Sequence, residues 1–142
     1  MATWFLYLVL IVALAFIGFA AWVRFAPSDP AVWHVDPVTA PTPSSPNAAR
    51  VERLVALPVD QVVTYIETRA RAEGATLLAG DIRFGTWIAR TALMRYPDYV
   101  SIRLTAEGEG TRIVALSRAR FGYSDRGVNA ARLGRWLPQA AP

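Results

Sequence analysis

This chain has no cysteine and a single histidine, His34, and its densest set of polar functional groups lies between Ser117 and Asn129, SRARFGYSDRGVN. Arg118 and Arg120 are two residues apart in a strand-like run and so share a face. They lead into Tyr123 and then Ser124-Asp125, residue types that open helices. Two guanidinium forks, free backbone N–H groups and the positive end of a helix dipole together describe an anion site. Its candidate members are Arg118, Arg120, Tyr123, Ser124, Asp125 and Asn129. The same residues also fit an architectural reading, in which Asp125 caps the helix and pairs with an arginine while Asn129 satisfies backbone groups.

Catalytic arrangements fail on residue type. Gly122-Tyr123-Ser124-Asp125-Arg126 lacks the closing glycine of a nucleophile elbow, and the strand before it feeds an antiparallel sheet. His34 sits beside Trp33 in a proline-rich stretch, where a histidine packs or hydrogen-bonds rather than acting as a base or metal ligand. Asp98, and the pair Glu107 and Glu109, fall in expected turns and offer no general acid–base arrangement. Glu107-Gly108-Glu109-Gly110 is a hairpin loop and not a phosphate cradle, because no helix start or Lys-Ser/Thr follows it. Without cysteine, disulfides, thiol catalysis and thiolate metal sites are excluded. The expectation is therefore no catalytic residue, no metal and no cofactor.

The element that would position everything else is Trp4–Val23, WFLYLVLIVALAFIGFAAWV, whose only ionisable side chain is Tyr7. As a helix it spans roughly 30 Å, the thickness of a bilayer's hydrocarbon core. Trp4 and Trp22 mark its two ends at headgroup level and Arg24 follows as a polar stop. A buried core helix this apolar on every face would need a larger domain around it. A cleaved signal peptide would want a basic start and a small-x-small site, which Met1-Ala2-Thr3 and Phe19-Ala20-Ala21-Trp22 do not supply. The expectation is a retained single-pass anchor over 1–24, with the lipid bilayer as its first partner. A membrane-protein partner could meet the helix through Tyr7, Phe16 and Gly18, and the small residues Ala13, Gly18, Ala20 and Ala21 permit close approach without forming a strict G-x-x-x-G.

Residues 25–48 read as a proline-rich linker, interrupted by Pro27, Pro30, Pro37, Pro41, Pro43 and Pro46 and able to extend as a spacer between domain and bilayer. Within it Ala31-Val32-Trp33-His34-Val35 is too apolar for a spacer and should dock on the domain or on the membrane. Residues 49–138 then show the order strand, helix, strands, helix, followed by a tail at 139–142. A strand over Arg50–Leu57 precedes a helix with Pro58 at its first position and Val59, Val62, Val63, Ile66 and Ala70 on one face. Strands follow at Ala75–Ala79, Thr86–Met94, Tyr99–Thr105 and Thr111–Arg120, and a last helix opens at Ser124-Asp125. The fold class is α+β: a two-layer domain of a mostly antiparallel sheet of four to five strands, packed with two helices. The formal net charge is +4, carried by 15 arginines and no lysine; it fits a solvated surface, would also suit anionic lipid headgroups or an acidic partner face, and points least to nucleic acid.

The block Ser117–Asn129, taken with Thr42-Pro43-Ser44-Ser45-Pro46-Asn47 and Tyr96-Pro97-Asp98-Tyr99-Val100-Ser101, resembles the bacterial and plastid family called domain of unknown function 1499, over roughly residues 43–137. The Trp33-His34-Val35-Asp36-Pro37 segment and the preceding apolar run are similar to its short membrane-attached members. Many members carry a cysteine after Ser-Pro-Asn where this chain has Ala48, so no role of that cysteine transfers. The resemblance implies no established activity. The charges flanking the apolar run, the N-terminal amine and Arg24, barely vote on orientation and lean towards a cytoplasmic C-terminal domain, whereas the resemblance implies export, hence a bacterial inner-membrane anchor with a periplasmic domain. Two functions stay open: a non-catalytic accessory or assembly component of an inner-membrane complex, and a binding domain for a small anionic or lipid-headgroup ligand at Arg118 and Arg120.

Overall fold

The computed structural model describes residues 2–92 and 94–140. Helix α1, Ala2–Phe25, is continuous for 24 residues, about 36 Å at 1.5 Å per residue. Its Thr3–Phe25 stretch is the one helix among the described residues long and apolar enough to cross a membrane. Leu6, Leu10, Ile11, Leu14 and Ile17 all stand exposed, so no protein core surrounds it.

The head is a five-stranded sheet made of β1 (Ala48–Val55), β2 (Thr76–Gly80), β3 (Phe84–Arg90), β4 (Pro97–Glu107) and β5 (Gly110–Ala119). Every neighbouring pair is antiparallel in the order β1-β5-β4-β3-β2. Helices α3 (Val59–Ala72) and α4 (Val128–Trp136) lie on one face. Val100, Ile102 and Leu104 alternate along β4 towards them and meet Val62, Ile66, Leu133 and Trp136 in the core. Complete burial of a side chain such as Leu133 contributes about 1.5–3 kcal/mol. The α+β expectation holds.

Three local boundaries differ from the sequence reading. Pro58 is the residue before α3 and not its first helical position, which falls to Val59. Strand β3 begins at Phe84 and stops at Arg90, well short of Met94. Beyond it the chain folds into a tight connection, in which Arg95 donates its N–H to Thr91 O and takes a positive φ of 58°. Helix α4 begins at Val128 and not at Ser124-Asp125, with Gly127 before it in the left-handed region at φ 82°.

The larger difference is the linker. Residues 26–40 do not form an extended spacer. They cross the second face of the sheet as a strap containing the one-turn helix α2 (Pro30–Trp33). The indole of Trp33 stacks on the Tyr99 ring at 4.0 Å and 13°. His34 Nδ1 is 3.0 Å from Thr86 Oγ1, which in turn is 2.9 Å from Ser101 Oγ. Asp36 receives Arg103 through both carboxylate oxygens, at 2.9 and 2.7 Å, and the Arg103 guanidinium lies over the Phe84 ring. Arg50 donates to Ala40 O and Val38 O. A segment broken by prolines cannot add a strand, but it can lie across one face and lend side chains and carbonyls to it. Within the Ala31–Val35 cluster, Trp33 and His34 therefore dock on the domain, while Val32 stays exposed. Gly80 shows how closely it fits: a Cβ there would stand 2.9 Å from His34 Cε1 and 2.1 Å from Phe84 O.

Candidate functional site

Adjacent residues of a strand project to opposite faces, and this divides the Ser117–Asn129 block in two. Arg118 and Arg120 go to the strap side. Arg118 Nη2 donates to Trp33 O at 2.8 Å, with its guanidinium 5.4 Å from the indole centre. Arg120 Nη1 donates to Pro27 O at 2.8 Å and to Tyr99 Oη at 3.3 Å, and Ser28 Oγ lies 2.7 Å from the same phenol. Both guanidiniums thus hold backbone carbonyls of the strap, around the stacked Trp33–Tyr99 pair. Burial pushes the Arg118 guanidinium below its ordinary pKa, and its Nε–H has no acceptor among the described residues.

Ser117 goes to the helix side and meets Asn129, which is fully buried. Asn129 Oδ1 accepts from Ser117 Oγ and from Arg132 Nη1, the latter at 2.8 Å, while its Nδ2 donates to Asn47 O at 3.0 Å. Arg132 Nη2 reaches Asp98 Oδ2 at 2.8 Å, with both side chains 4% exposed. Burial pushes the Asp98 carboxyl above its ordinary pKa, with Arg132 acting against it. Asp98 is thus a buried residue of β4 and not a turn residue, because Pro97 already begins the strand. Asp125 accepts from Gly127 N at 2.9 Å, Asn129 N at 2.8 Å and Asn129 Nδ2 at 2.6 Å. Although burial raises its pKa, these amide donors win and hold the carboxyl below the ordinary range.

Of the six residues named from sequence, Asp125 and Asn129 come together at the start of α4. Arg118 and Arg120 come together on the opposite face of the sheet. Ser124 accepts only a long 3.3 Å bond from Arg126 N, and Tyr123 stands 80% exposed. No ion pair joins Asp125 to an arginine among the described residues. The residues that sequence reasoning missed are Tyr99, Asp98 and Arg132. Tyr99 carried a signal in being an aromatic on the otherwise polar face of β4. The only sign of the Asp98–Arg132 pair was an arginine placed among the apolar positions of the last helix. Among the described residues no three His, Cys, Asp or Glu side chains gather as a metal site.

A second assembly lies where α1 meets the head. Val23 and Ala26 are buried there while Arg24 and Phe25 between them are exposed. Trp22 packs edge-on to Phe121 at 5.5 Å, and Phe121 meets Tyr96 at 5.7 Å. Arg90 Nη1 approaches Arg24 O at 3.4 Å, placing a cation at the negative end of the α1 dipole.

An apolar leading helix joined to a strapped antiparallel sheet with two helices defines the class of this molecule. The chain belongs to the family described as "Protein of unknown function (DUF1499)", whose model matches residues 33–139. The match opens at Trp33, so the matched unit includes the strap residues stacked on the sheet. No curated protein matches the chain. Among solved structures, protein MLL2253 from Mesorhizobium loti is 14% identical with a TM-score of 0.48, the alignment covering 61% of this chain and 87% of that one. CalU16 from Micromonospora echinospora is 17% identical with a TM-score of 0.45, covering 61% of this chain and 68% of that one.

Proposed function

We propose that this protein is a non-catalytic accessory component of a bacterial inner-membrane protein complex, anchored by α1, with its head on the periplasmic side. The observation that carries this reading is the joint at Val23–Ala26, where the helix runs into the head without a free tether. A head fixed to its span presents one constant orientation to a neighbour in the same membrane, which suits docking and assembly more than capture of a diffusing substrate. The helix has open flanks to offer: nothing lies within 4 Å of a Cβ built on Gly18, so another helix can approach closely there. Ligand binding at Arg118 and Arg120 is the weaker reading, because an anion would have to displace Trp33 O and Pro27 O from them.

Extraction in a mild detergent followed by native mass measurement tests the proposal. The expected result is a stoichiometric membrane-protein partner that is lost when Gly18 is replaced by Leu. A chain that runs alone from every extraction, or a mature form beginning beyond Arg24, overturns it.

A further inference from the structure

We propose that the end of the head nearest α1 carries a binding site for the phosphate of an anionic phospholipid, in the groove between the β3–β4 connection and α4. Arg90, Arg95, Arg132 and Arg135 line this groove together with Glu73 and Thr91, around about 610 Å³ of open space.

The charges in the groove are not equivalent. Glu73 takes Arg135 at 2.7 Å and Asp98 takes Arg132 at 2.8 Å. Arg90 and Arg95 have no carboxylate within ion-pair distance among the described residues. Arg90 commits a single nitrogen, Nη1, to the carbonyls of Arg24 and Arg95. Arg132 is buried yet lines the groove, and its Nε–H has no acceptor among the described residues. The groove therefore presents two guanidiniums without a carboxylate partner among the described residues, a set that matches the oxygens of a phosphodiester.

The placement selects a lipid over a soluble phosphate, and here the inference rests on α1 lying in a bilayer. Arg90 contacts the last turn of α1, and Met94 of the same connection lies beside Ala20, Ala21 and Arg24. Trp22, Phe121 and Tyr96 form an aromatic cluster at that level, as residues at a membrane–water interface do. Asp60, Asp81, Glu107 and Glu109 lie at the far end, at the start of α3 and in the β2–β3 and β4–β5 turns, together with Arg83, which pairs with Asp60, and Arg112, which pairs with Glu52. Arg24, Arg90, Arg95, Arg120 and Arg126 gather at the near end. The acids near that end are already occupied: Asp29 and Asp125 by backbone amides, Glu73 and Asp98 by arginines.

The test uses the full chain in neutral detergent micelles doped with phosphatidylglycerol or phosphatidylcholine, with retained lipid read by native mass spectrometry. The expected result is one phosphatidylglycerol kept per chain in preference to phosphatidylcholine, its retention falling about fivefold for each of Arg90→Gln and Arg95→Gln. Arg95→Gln is the cleaner variant, because among the described residues Arg95 makes hydrogen bonds only through its backbone. Equal retention of the two lipids, or undiminished retention by Arg95→Gln, overturns the proposal. So does displacement of the lipid by millimolar inorganic phosphate, which would assign the groove to a soluble anion. Alkaline carbonate washing of the source membranes reports separately on α1: release of the protein sinks the anchor, whereas retention without lipid preference sinks only the groove.

Discussion

Asn129 joins a strand, a helix and the chain just before β1 through one amide, since Ser117, Arg132, Asp125 and Asn47 O all bond to it. Asn129→Ala leaves Arg132 Nη1 and Ser117 Oγ short of a partner in a buried place, where each lost bond costs about 1–3 kcal/mol. The expected loss is about 2–4 kcal/mol in chemical denaturation of the detergent-solubilised chain, against less than about 0.5 kcal/mol for Tyr123→Ala, whose side chain is 80% exposed. The pair could not be told apart in sequence. Tyr123 and Asn129 have similar polar character in one motif, and only the register Val100↔Ser117 beneath α4 decides which of them is buried.

Among the elements, β4, β5 and α3 were legible because their alternation and 3.6-residue periodicity report a face that must be buried. The strap was not, because its proline content is equally compatible with a spacer and with a belt. What decides between them is long-range: Trp33 needs Tyr99, and Asp36 needs Arg103. This last pair has a pH signature. The Arg103 bonds hold the Asp36 carboxyl below its ordinary pKa, against a smaller effect of burial. A folded-state pKa below the unfolded one means that the stabilisation is present above the ordinary value of about 4 and is lost as pH falls through the depressed value. Amide protection over residues 33–40 is expected to hold steady from neutral pH down to about pH 4 and then fall. In Arg103→Ala it should be low throughout and lack that step, as hydrogen exchange can record.

At the scale of the whole molecule, the folded unit starts earlier than composition suggests. A division at Ala49 removes the strap together with Asn47 and the first residue of β1, and bares Tyr99, Thr86 and Ser101, all fully buried in the intact chain. A fragment beginning at Ala49 is therefore expected to melt at least about 10 °C below one beginning at Pro27, in scanning calorimetry. Equal melting temperatures would show that the strap adds nothing to the sheet.

The strap also orders events during synthesis. Trp33 emerges from the ribosome soon after the apolar helix, yet the guanidinium that receives its carbonyl belongs to Arg118, 85 residues later, and Pro27 waits 93 residues for Arg120. Until β5 is made these carbonyls meet only water, so the belt cannot close before the last strand of the sheet has been synthesised.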